Sequence, residues 1–406
     1  MSAQRQLTLG VIFGGRSVEH DVSVVTGHQV MRACDPARYQ VVPIYIDRDG
    51  RWFTGDPLRD LKQFDGNITQ QEGVSPCVLS PSIQHHGLII ESGKSRLFAS
   101  NKPTIIRLDA VFPTIHGSHG EDGTLQGLLE LADIPYVGCG VMASAVANDK
   151  VLTKQVMNAA GITVVESLSF SRHEWDDNPN AVMARLTAAL SFPMFVKPVT
   201  LGSSIGVGRA ADEAMLRAFI DVAANLDRRV LVETGVVGGI EINCALLGDD
   251  RDLKASVLEQ PISWEQFLTY EEKYLRGTEG MKSAQRLMPA PLSGQMTETI
   301  QQIAMAAFRA IDGRGTARID FLVRPEQNEI YLNEINTMPG SLAFYLWQES
   351  GLSASEVVDK LVSLAREAYA DKRRSTYNYQ TNLIALTAAR GLKGLKGAKT
   401  QVKRDE

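Results

Sequence analysis

Largely apolar runs, separated by a segment with helical periodicity, mark the start of the chain. Residues 7–13 and 39–46 are such runs, and the segment between about 21 and 33 spaces its apolar positions as a helix does. Apolar runs of this length predict buried strands. A helix that joins two buried strands predicts a βαβ unit, and therefore a sheet with parallel strands.

Similar patterns continue to about residue 370. We predict further strands at 87–91, 109–116, 135–137, 164–169, 193–197, 229–233, 241–247, 315–323 and 329–335. We predict further helices at 123–132, 149–160, 180–190, 212–225, 294–311 and 355–369. The stretch 260–292 has no periodicity, and that length is typical of a functional lid or a disordered segment.

Glycine clusters indicate where the chain divides. Glycines occur at 138 and 140 and again at 235, 238 and 239. We therefore predict an N-terminal α/β domain at 1–140, a central lobe at 141–235 and a C-terminal lobe at 236–371. A tail at 372–406 follows.

Charge and composition narrow the class of protein. Among 406 residues, 42 Lys and Arg stand against 47 Asp and Glu, and this net charge of −5 does not indicate a nucleic-acid binder. The four cysteines lie far apart, and no apolar run reaches the ~18 residues of a membrane span. We expect a soluble multidomain protein of a reducing, cytoplasmic compartment, without a signal peptide.

The tail differs in charge from the rest of the chain. Residues 372–404 contain nine Lys and Arg and no Asp or Glu. We interpret the tail as a solvated basic extension. An anionic surface contact and a segment that docks a partner are the alternatives.

Four polar residues fall on two neighbouring predicted strands. Residues two apart in a strand share a face, so Arg318 and Asp320 point together, as do Glu334 and Asn336. If the turn between the strands centres on Gln327, Asp320 lies opposite Glu334 and Arg318 lies opposite Asn336. A slip of one residue would send the two polar pairs to opposite faces.

In the favoured register, two carboxylates, an amide oxygen and a guanidinium share one patch. Hard oxygen ligands in such a cluster suit Mg²⁺, which completes its coordination with water and nucleotide phosphates. A solvated hairpin face is the alternative, because apolar residues alternate regularly on the opposite face.

A lysine at the end of a buried strand precedes a loop rich in glycine and serine. Lys197 ends the predicted strand 193–197, and residues 198–207 read PVTLGSSIGV. Backbone N–H groups and hydroxyls in such a loop can hold phosphates while the lysine adds positive charge. A plain turn is the alternative.

Two glutamates and one histidine are further candidates for binding a ligand. Glu233 ends a predicted strand and can offer its carboxylate to an adenine, and Glu241 begins the next strand. Taken singly, both glutamates read as surface residues. His116 lies where a buried strand opens toward a helix, which is where open α/β sheets bind ligands.

Together these motifs resemble the D-alanine–D-alanine ligases of the ATP-grasp superfamily. The resemblance runs from about residue 7 to about 370. It rests on FGGRSVEHDVS (13–23), HGSHGEDGTLQGLLEL (116–131), NDK (148–150), KPVTLGSSIGV (197–207), RIDF (318–321) and EINTMPG (334–340). It implies an α/β protein of three domains, namely an N-terminal parallel-sheet substrate domain followed by two α+β grasp lobes that hold ATP between them.

The resemblance also implies a reaction. The carboxylate of a first D-alanine attacks the γ-phosphate of ATP and becomes an acyl phosphate. The amine of a second D-alanine then attacks that carbonyl and phosphate leaves, which gives a dipeptide for peptidoglycan synthesis. A ligase of the same mechanism with a different second substrate is the alternative. The family is commonly homodimeric.

By resemblance, the nucleotide and metal residues are as follows. The residues implied to bind the nucleotide are Lys150, Lys197, Ser204, Lys273, Glu233 (adenine) and Glu241 (ribose). The residues implied to coordinate two Mg²⁺ ions, or Mn²⁺, are Asp320, Glu334 and Asn336. Arg318 and the backbone N–H of Gly340 are implied to stabilise the tetrahedral oxyanion.

The substrate residues are implied in the same way. Glu19 faces the ammonium group of the first D-alanine, and His116 lies near the second substrate. Glu19, Ser203 and Tyr274 form a hydrogen-bonded trio that closes a lid at 264–290.

Three segments depart from the family pattern, and one of them, the stretch 276–288 with Lys282 and Arg286, is longer than usual. Residues 267–270 read FLTY where the family has Phe-Tyr-Asp-Tyr. After Gly340, the run that begins at Ser341 places Tyr345 where the family has the serine that receives the second substrate's carboxylate, so Ser341 and Tyr345 are expected to bind that substrate. The identity of the second substrate is therefore open.

Overall fold

The protein is described here by a computed structural model that covers residues 5–90, 104–262, 286–377 and 381–390. Predictions for the lid residues Lys273 and Tyr274 lie outside these ranges. The chain forms two compact units, residues 1–367 and 368–406. The predicted division at 140, 235 and 371 stays a prediction.

A seven-stranded sheet begins the first unit. Its strands are β1 (Leu7–Gly14), β2 (Tyr39–Ile46), β3 (Trp52–Thr54), β4 (Ser75–Leu79), β5 (Gly87–Ile90), β6 (Thr104–Arg107) and β7 (Ala110–Pro113). Helices α1 (His20–Ala33) and α2 (Thr124–Leu131) belong to the same region, with short 3-10 turns at Asp56–Arg59, Leu61–Asp65 and Ile68–Gln70. The strand order is β6-β5-β4-β3-β2-β1-β7.

Parallel pairing is limited to one end of this sheet. β1 pairs in parallel with both β2 and β7, as the βαβ pattern predicts. The pairs from β2 through β6 are antiparallel. Hydrophobic clusters form on both sides of the sheet, which is why β1 reads as a continuous apolar run.

A four-stranded sheet follows. Its strands are β8 (Ser167–Ser171), β9 (Met194–Pro198), β10 (Gly208–Ala210) and β11 (Arg229–Thr234), in the order β10-β9-β11-β8. The helices of this region are α3 (Val141–Asn148), α4 (Lys150–Ala159), α5 (Arg172–Asp177), α6 (Pro179–Ala189) and α7 (Glu213–Leu226). α5, α6 and α7 cover the sheet and close a core around buried Val196 and Val230.

A five-stranded antiparallel sheet carries the polar hairpin. Its strands are β12 (Ile240–Gly248), β13 (Leu253–Pro261), β14 (Arg286–Leu287), β15 (Gly315–Arg324) and β16 (Glu329–Asn336), in the order β14-β13-β12-β15-β16. The remaining helices are α8 (Gly294–Ala310), α9 (Phe344–Glu349), α10 (Ala354–Lys372) and α11 (Leu383–Arg390), with a turn at Gly340–Ala343. α8 packs on one face, and the other face carries the polar residues.

Several elements differ from the sequence predictions. The helix α3 and the strand β13 were not predicted, and β8 begins three residues later than predicted. The predicted strand 135–137 makes only a single bridge between Val111 and Tyr136. β14 lies inside the stretch predicted to be irregular, because its two residues pair with the end of β13. α3 was missed because its small residues, VMASAVAN, give a weak periodic signal.

No helix of the described ranges is long and apolar enough to cross a bilayer. The second unit contains the end of α10 and the helix α11. α11 exposes Leu383 and Ile384, and residues 391–406 lie outside the described part.

Candidate active site

One face of the five-stranded sheet carries a row of polar side chains. Glu259 on β13 pairs with Asn243 on β12, Asn243 pairs with Asp320 on β15, and Asp320 pairs with Glu334 on β16. Directly paired residues share a face, so these four side chains form a continuous polar row across four strands. Arg318 pairs with Asn336 in the next row.

The pairs predicted for the hairpin are therefore present, but the turn alone does not produce them. Near the turn Arg324 pairs with Glu329, which is one residue out of the predicted register. A bulge opposite Asp320 and Phe321 inserts Asn333 and restores the predicted pairs beyond it. Leu332 and Ile335 both face the core, and Glu334 between them faces the site.

Arg318 holds the Asp320 carboxylate from the same strand. The guanidinium donates from Nε to Oδ1 and from Nη2 to Oδ2, both at 2.6 Å, and the Asn336 amide donates to Oδ2 at 2.9 Å. Burial raises the pKa of Asp320 to about 6, and the negative charges of Glu334 and Glu241 act in the same direction, while Arg318 opposes them. This patch therefore has an excess of negative charge that a cation relieves.

The side chains of this patch supply only part of the coordination shell that Mg²⁺ needs. Within the described ranges, no three His, Cys, Asp or Glu side chains come together as a ready metal site. Asp320, Glu334 and the Asn336 amide supply hard oxygen ligands, and Mg²⁺ typically takes its remaining ligands from water and phosphate. The residues present fit a metal that is bound together with a nucleotide.

Two lysines bracket the carboxylate predicted to bind adenine. Glu233, which is 3% exposed, lies with Oε1 at 2.8 Å from Lys154 Nζ and with Oε2 at 2.5 Å from Lys197 Nζ. Lys197 also donates to the Asn333 side chain at 3.1 Å, and Lys154 donates to the Val165 carbonyl at 3.1 Å.

The lysines keep this buried carboxylate ionised. Burial by itself raises the pKa of Glu233, but Lys197 and Lys154 outweigh it and lower the pKa to about 2. Burial likewise acts to lower the pKa of Lys197, yet Glu233 reverses the direction and raises it. An ionised carboxylate is a pure hydrogen-bond acceptor, which suits an amino group of a base.

Lys150 begins helix α4 and points to the Gly/Ser loop. The Asp149 side chain accepts from the backbone N–H groups of Val151 and Leu152 and so caps the helix. Lys150 Nζ donates to the Leu201 carbonyl at 2.7 Å. Burial and the charge of Lys197 lower the pKa of Lys150, while nearby acidic groups oppose them.

Glu19, which precedes α1, contacts Ser203 of the Gly/Ser loop. The Ser203 hydroxyl donates to Glu19 Oε1, which brings together two members of the predicted trio. A Cβ at Gly117 would lie 2.5 Å from Glu19 Oε2, and the φ of Gly117 is +69°, so glycine is required there. Tyr274, the third member, lies outside the described residues.

His116 is tied into the protein through both ring nitrogens. Its Nδ1 lies 2.8 Å from the Met338 carbonyl and its Nε2 lies 2.8 Å from the Thr26 hydroxyl. Burial lowers the pKa of His116 to about 4, so the ring is neutral and Nδ1 carries the proton donated to Met338. Thr26 then donates to Nε2 and accepts from the backbone N–H of Ser341 at 3.3 Å. This arrangement favours a role in positioning the loop 338–341.

Glu121 supports the same loop from the other side. Its carboxylate accepts from the backbone N–H of Gly117 at 2.8 Å and from that of Met338 at 2.9 Å. Burial raises the pKa of Glu121 to about 8, and Glu19 and Glu334 add to this, whereas the two N–H donors oppose it.

The backbone after Gly340 makes a left-handed turn. Ser341, Leu342 and Ala343 have φ values of 52°, 51° and 50°. Such a conformation costs L-residues roughly 1–2 kcal/mol each. Leu342 and Ala343 are fully buried, which offsets part of this cost and fixes the path of the chain from Gly340 to α9.

Tyr345 lies in a polar cluster beside the row. Its hydroxyl donates to Glu259 Oε2 at 2.7 Å, and the Arg286 guanidinium lies 4.4 Å from the ring centroid. Arg286 Nη1 is 3.2 Å from Glu259 Oε1. Burial and the charge of Glu259 raise the pKa of Tyr345, so the hydroxyl keeps its proton.

The structure thus places most sequence-predicted residues around one polar region. Ser204 is exposed in the Gly/Ser loop, and Glu241 is exposed at the start of β12. Lys273 lies outside the described residues. Their individual roles stay predictions.

Sequence reasoning missed three residues of this region. Lys154 could have been found, because it lies four residues after Lys150 and so on the same helix face. Glu121 stood inside a quoted motif but had no assigned role. Glu259 gave no signal, because its strand was not predicted.

Family models match most of the chain. The model described as D-ala D-ala ligase N-terminus matches residues 8–139, and the one described as D-ala D-ala ligase C-terminus matches residues 156–363. A D-alanine–D-alanine ligase from Thermosipho africanus is 38% identical over 380 residues, which cover 94% of this chain and 99% of the relative. The chain belongs to the D-alanine–D-alanine ligase family.

Solved structures of this family have the same fold. The D-alanine–D-alanine ligase from Coxiella burnetii superposes with a TM-score of 0.76 at 30% identity, over 95% of this chain and 99% of that one. The VanG D-Ala:D-Ser ligase from Enterococcus faecalis superposes with a TM-score of 0.74 at 32% identity, over 89% of this chain and 100% of that one. The predicted family, fold class and enzyme class are confirmed.

Proposed function

We propose that this chain is an ATP-dependent ligase that joins two D-alanine molecules into a peptidoglycan precursor. The observation that carries the proposal is the polar face on which Arg318, Asp320, Glu334 and Asn336 converge. That face occurs in a member of the D-alanine–D-alanine ligase family, next to a second sheet that contributes Lys197. Phosphoryl transfer requires alignment and charge neutralisation more than covalent help, and this set of residues suits that need.

In the first half of the reaction, the nucleotide is held between the two sheets. Glu233 accepts from the adenine amino group, and Lys150 and Lys197 contact the phosphates. Lys197 contacts Glu233 of its own sheet and Asn333 of the five-stranded sheet, so its ammonium group lies between the two sheets. Asp320, Glu334 and Asn336 would hold two Mg²⁺ ions, or Mn²⁺, and the metal would supply neutralisation of phosphate charge.

In the second half, the amine of the second D-alanine attacks the carbonyl carbon of the acyl phosphate and the carbonyl oxygen becomes negative. The C–N bond then replaces the C–O bond to phosphate, and inorganic phosphate and the amine's proton leave. Arg318 and the backbone N–H of Gly340 donate to this oxygen. The hydrogen bonds of His116, Thr26 and Glu121 to residues 338–341 keep that N–H in place. Glu19, fixed by Ser203, faces the ammonium group of the first D-alanine.

Turnover with defined substrates tests the proposal. The enzyme is incubated with ATP, Mg²⁺ and D-alanine, and ADP and the dipeptide are measured. We expect both products in equal amounts. Dipeptide formation only when D-serine or another acceptor is added would contradict the D-alanine assignment.

Variants of the metal ligands test the site itself. We expect Asp320→Asn and Glu334→Gln to abolish ADP formation while ATP binding remains measurable, because the base and ribose contacts persist. Turnover near the wild-type rate in either variant would refute the metal assignment.

A D-Ala:D-Ser ligase is the second candidate. It is favoured by Tyr345, which replaces the family's acceptor serine, and by the similarity to VanG from Enterococcus faecalis. We further propose a cytoplasmic homodimer, as is common in this family.

A further inference from the structure

The Tyr345 hydroxyl cannot receive the second substrate's carboxylate as the family's serine does. A hydroxyl has one proton to donate. In this structure the proton of Tyr345 goes to Glu259, which is 2% exposed and accepts it at 2.7 Å. An acceptor amino acid that carries a carboxylate therefore needs another donor at this place.

Arg318 and Arg286 both act to lower the pKa of Tyr345, and the Arg286 guanidinium lies 4.4 Å from the centroid of its ring. Arg318 binds Asp320 through two nitrogens and is assigned to the oxyanion. Among the residues that the structure describes, Arg286 makes an ion pair with Glu259 through Nη1 at 3.2 Å, and a guanidinium has five N–H donors. Arg286 thus has donors to offer an anion.

The position of Arg286 fits the size of an amino acid. Arg286 pairs with Pro261, two residues from Glu259, so it belongs to the face that carries Asp320. Glu259 and Asp320 are separated by one intervening strand, which corresponds to roughly 10 Å. One amino acid and the reach of an arginine side chain span that distance.

From this geometry we propose that Arg286 binds the carboxylate of the acceptor amino acid. Tyr345 acts as the platform on which its guanidinium lies, and Glu259 fixes both side chains. Arginine can keep its contact with Glu259 and still bind a second carboxylate, because its donors point in several directions. The inference rests on the proposed ligase function and names the residue that replaces the family's serine.

A competition between two acceptors tests the proposal in one reaction. The intact enzyme receives ATP, Mg²⁺, D-alanine and D-alaninamide, which has the amine but no carboxylate. The ratio of D-Ala-D-Ala to its amide is measured by mass spectrometry. This ratio does not depend on how much of the enzyme is folded, because both products arise from the same active molecules.

We expect Arg286→Met to lower this ratio by roughly 10–100-fold, as the loss of a charge-assisted hydrogen bond does. Arg286→Lys should give an intermediate ratio because it keeps the charge. Arg251→Met is the matched control, since Arg251 lies in the turn between β12 and β13 and pairs with Asp249 there. It should leave the ratio unchanged.

An unchanged ratio in Arg286→Met would overturn the proposal. If the wild type makes no amide product, the proposal is tested instead by measuring the concentration of acceptor D-alanine that gives the half-maximal rate. A rise of about tenfold in Arg286→Met, with the KM for ATP unchanged, supports the proposal, and no rise refutes it. Absence of D-Ala-D-Ala from the wild type would instead contradict the proposed function.

Discussion

The buried charge of Lys154 supports the carboxylate that is proposed to bind the nucleotide base. It is 4% exposed, and it contacts Glu233 on the side opposite Lys197. With a lysine on each oxygen, the carboxylate has a fixed plane and a fixed charge. We infer that the orientation of Glu233, and so the recognition of an amino group, depends on Lys154.

We expect Lys154→Met to raise the KM for ATP about tenfold, with a smaller change in the KM for D-alanine. The discrimination against GTP should fall as well, because GTP carries a carbonyl where ATP has the amino group. Steady-state kinetics with both nucleotides measure this. Lys154→Arg, which keeps the charge, should recover part of the preference. Equal losses for ATP and GTP would indicate a purely structural role.

Glu121 makes stability depend on pH. Its pKa is raised from an ordinary glutamate value of 4.5 to about 8, so the folded protein binds a proton that the unfolded chain releases. The stabilisation is complete below pH 4.5 and is lost as the pH rises through 8.

We therefore expect the Tm of the wild type minus that of Glu121→Gln to fall from pH 6 to pH 9, because only the wild type loses this stabilisation. Thermal unfolding at the two pH values measures it. Glu174→Gln, at an exposed capping position, is the control, since the backbone N–H of Ser171, the N-cap of α5, lowers the pKa of Glu174. A value of this signed difference that rises with pH would contradict the assignment.

At the scale of elements, the bulge in β16 determines which side chains of the hairpin face the core and which face the site. The extra residue keeps Leu332 and Ile335 in the core and Glu334 on the site face. It also leaves Asn333 outside the regular pairing, where its side chain accepts from Lys197 of the neighbouring sheet. The bulge thus links the two sheets between which the nucleotide is proposed to bind.

We expect Asn333→Ala to keep the hairpin register but to raise the KM for ATP about threefold to tenfold, because Lys197 loses a neutral hydrogen bond. Titration of ATP against the purified variant measures this. Asn328→Ala, at the exposed turn of the same hairpin, serves as the control. An unchanged KM would mean that Glu233 alone positions Lys197.

At the scale of the whole molecule, the family resemblance stops before the chain does. The C-terminal family model ends at residue 363, and the compact first unit ends at 367. Every residue assigned to the site lies within that unit. The basic tail therefore has no assigned part in the chemistry.

We expect removal of residues 375–406 to leave kcat and the KM values for ATP and D-alanine unchanged. Steady-state assays of the shortened and full-length enzymes test this. A large loss of activity would show that the tail contributes to the active enzyme.

Much of the fold was predictable from the sequence. Apolar runs identified β1 and β2 because buried parallel strands need apolar residues on both faces. Ordered motifs identified the family because the chemistry requires fixed residue types at each step. Weakly periodic elements such as α3 were not predictable, since nothing in their pattern distinguishes them from loops.

The sequence by itself determined which residues can carry charge, bind oxygen ligands and alternate along strands. Only the tertiary structure decided how those groups pair. It placed Lys154 behind Glu233, turned the Tyr345 hydroxyl to Glu259 and brought Arg286 over the ring. These contacts join strands and helices that are distant in the chain, and their geometry depends on sheet order and on a bulge. Local sequence patterns do not predict the sheet order or the bulge.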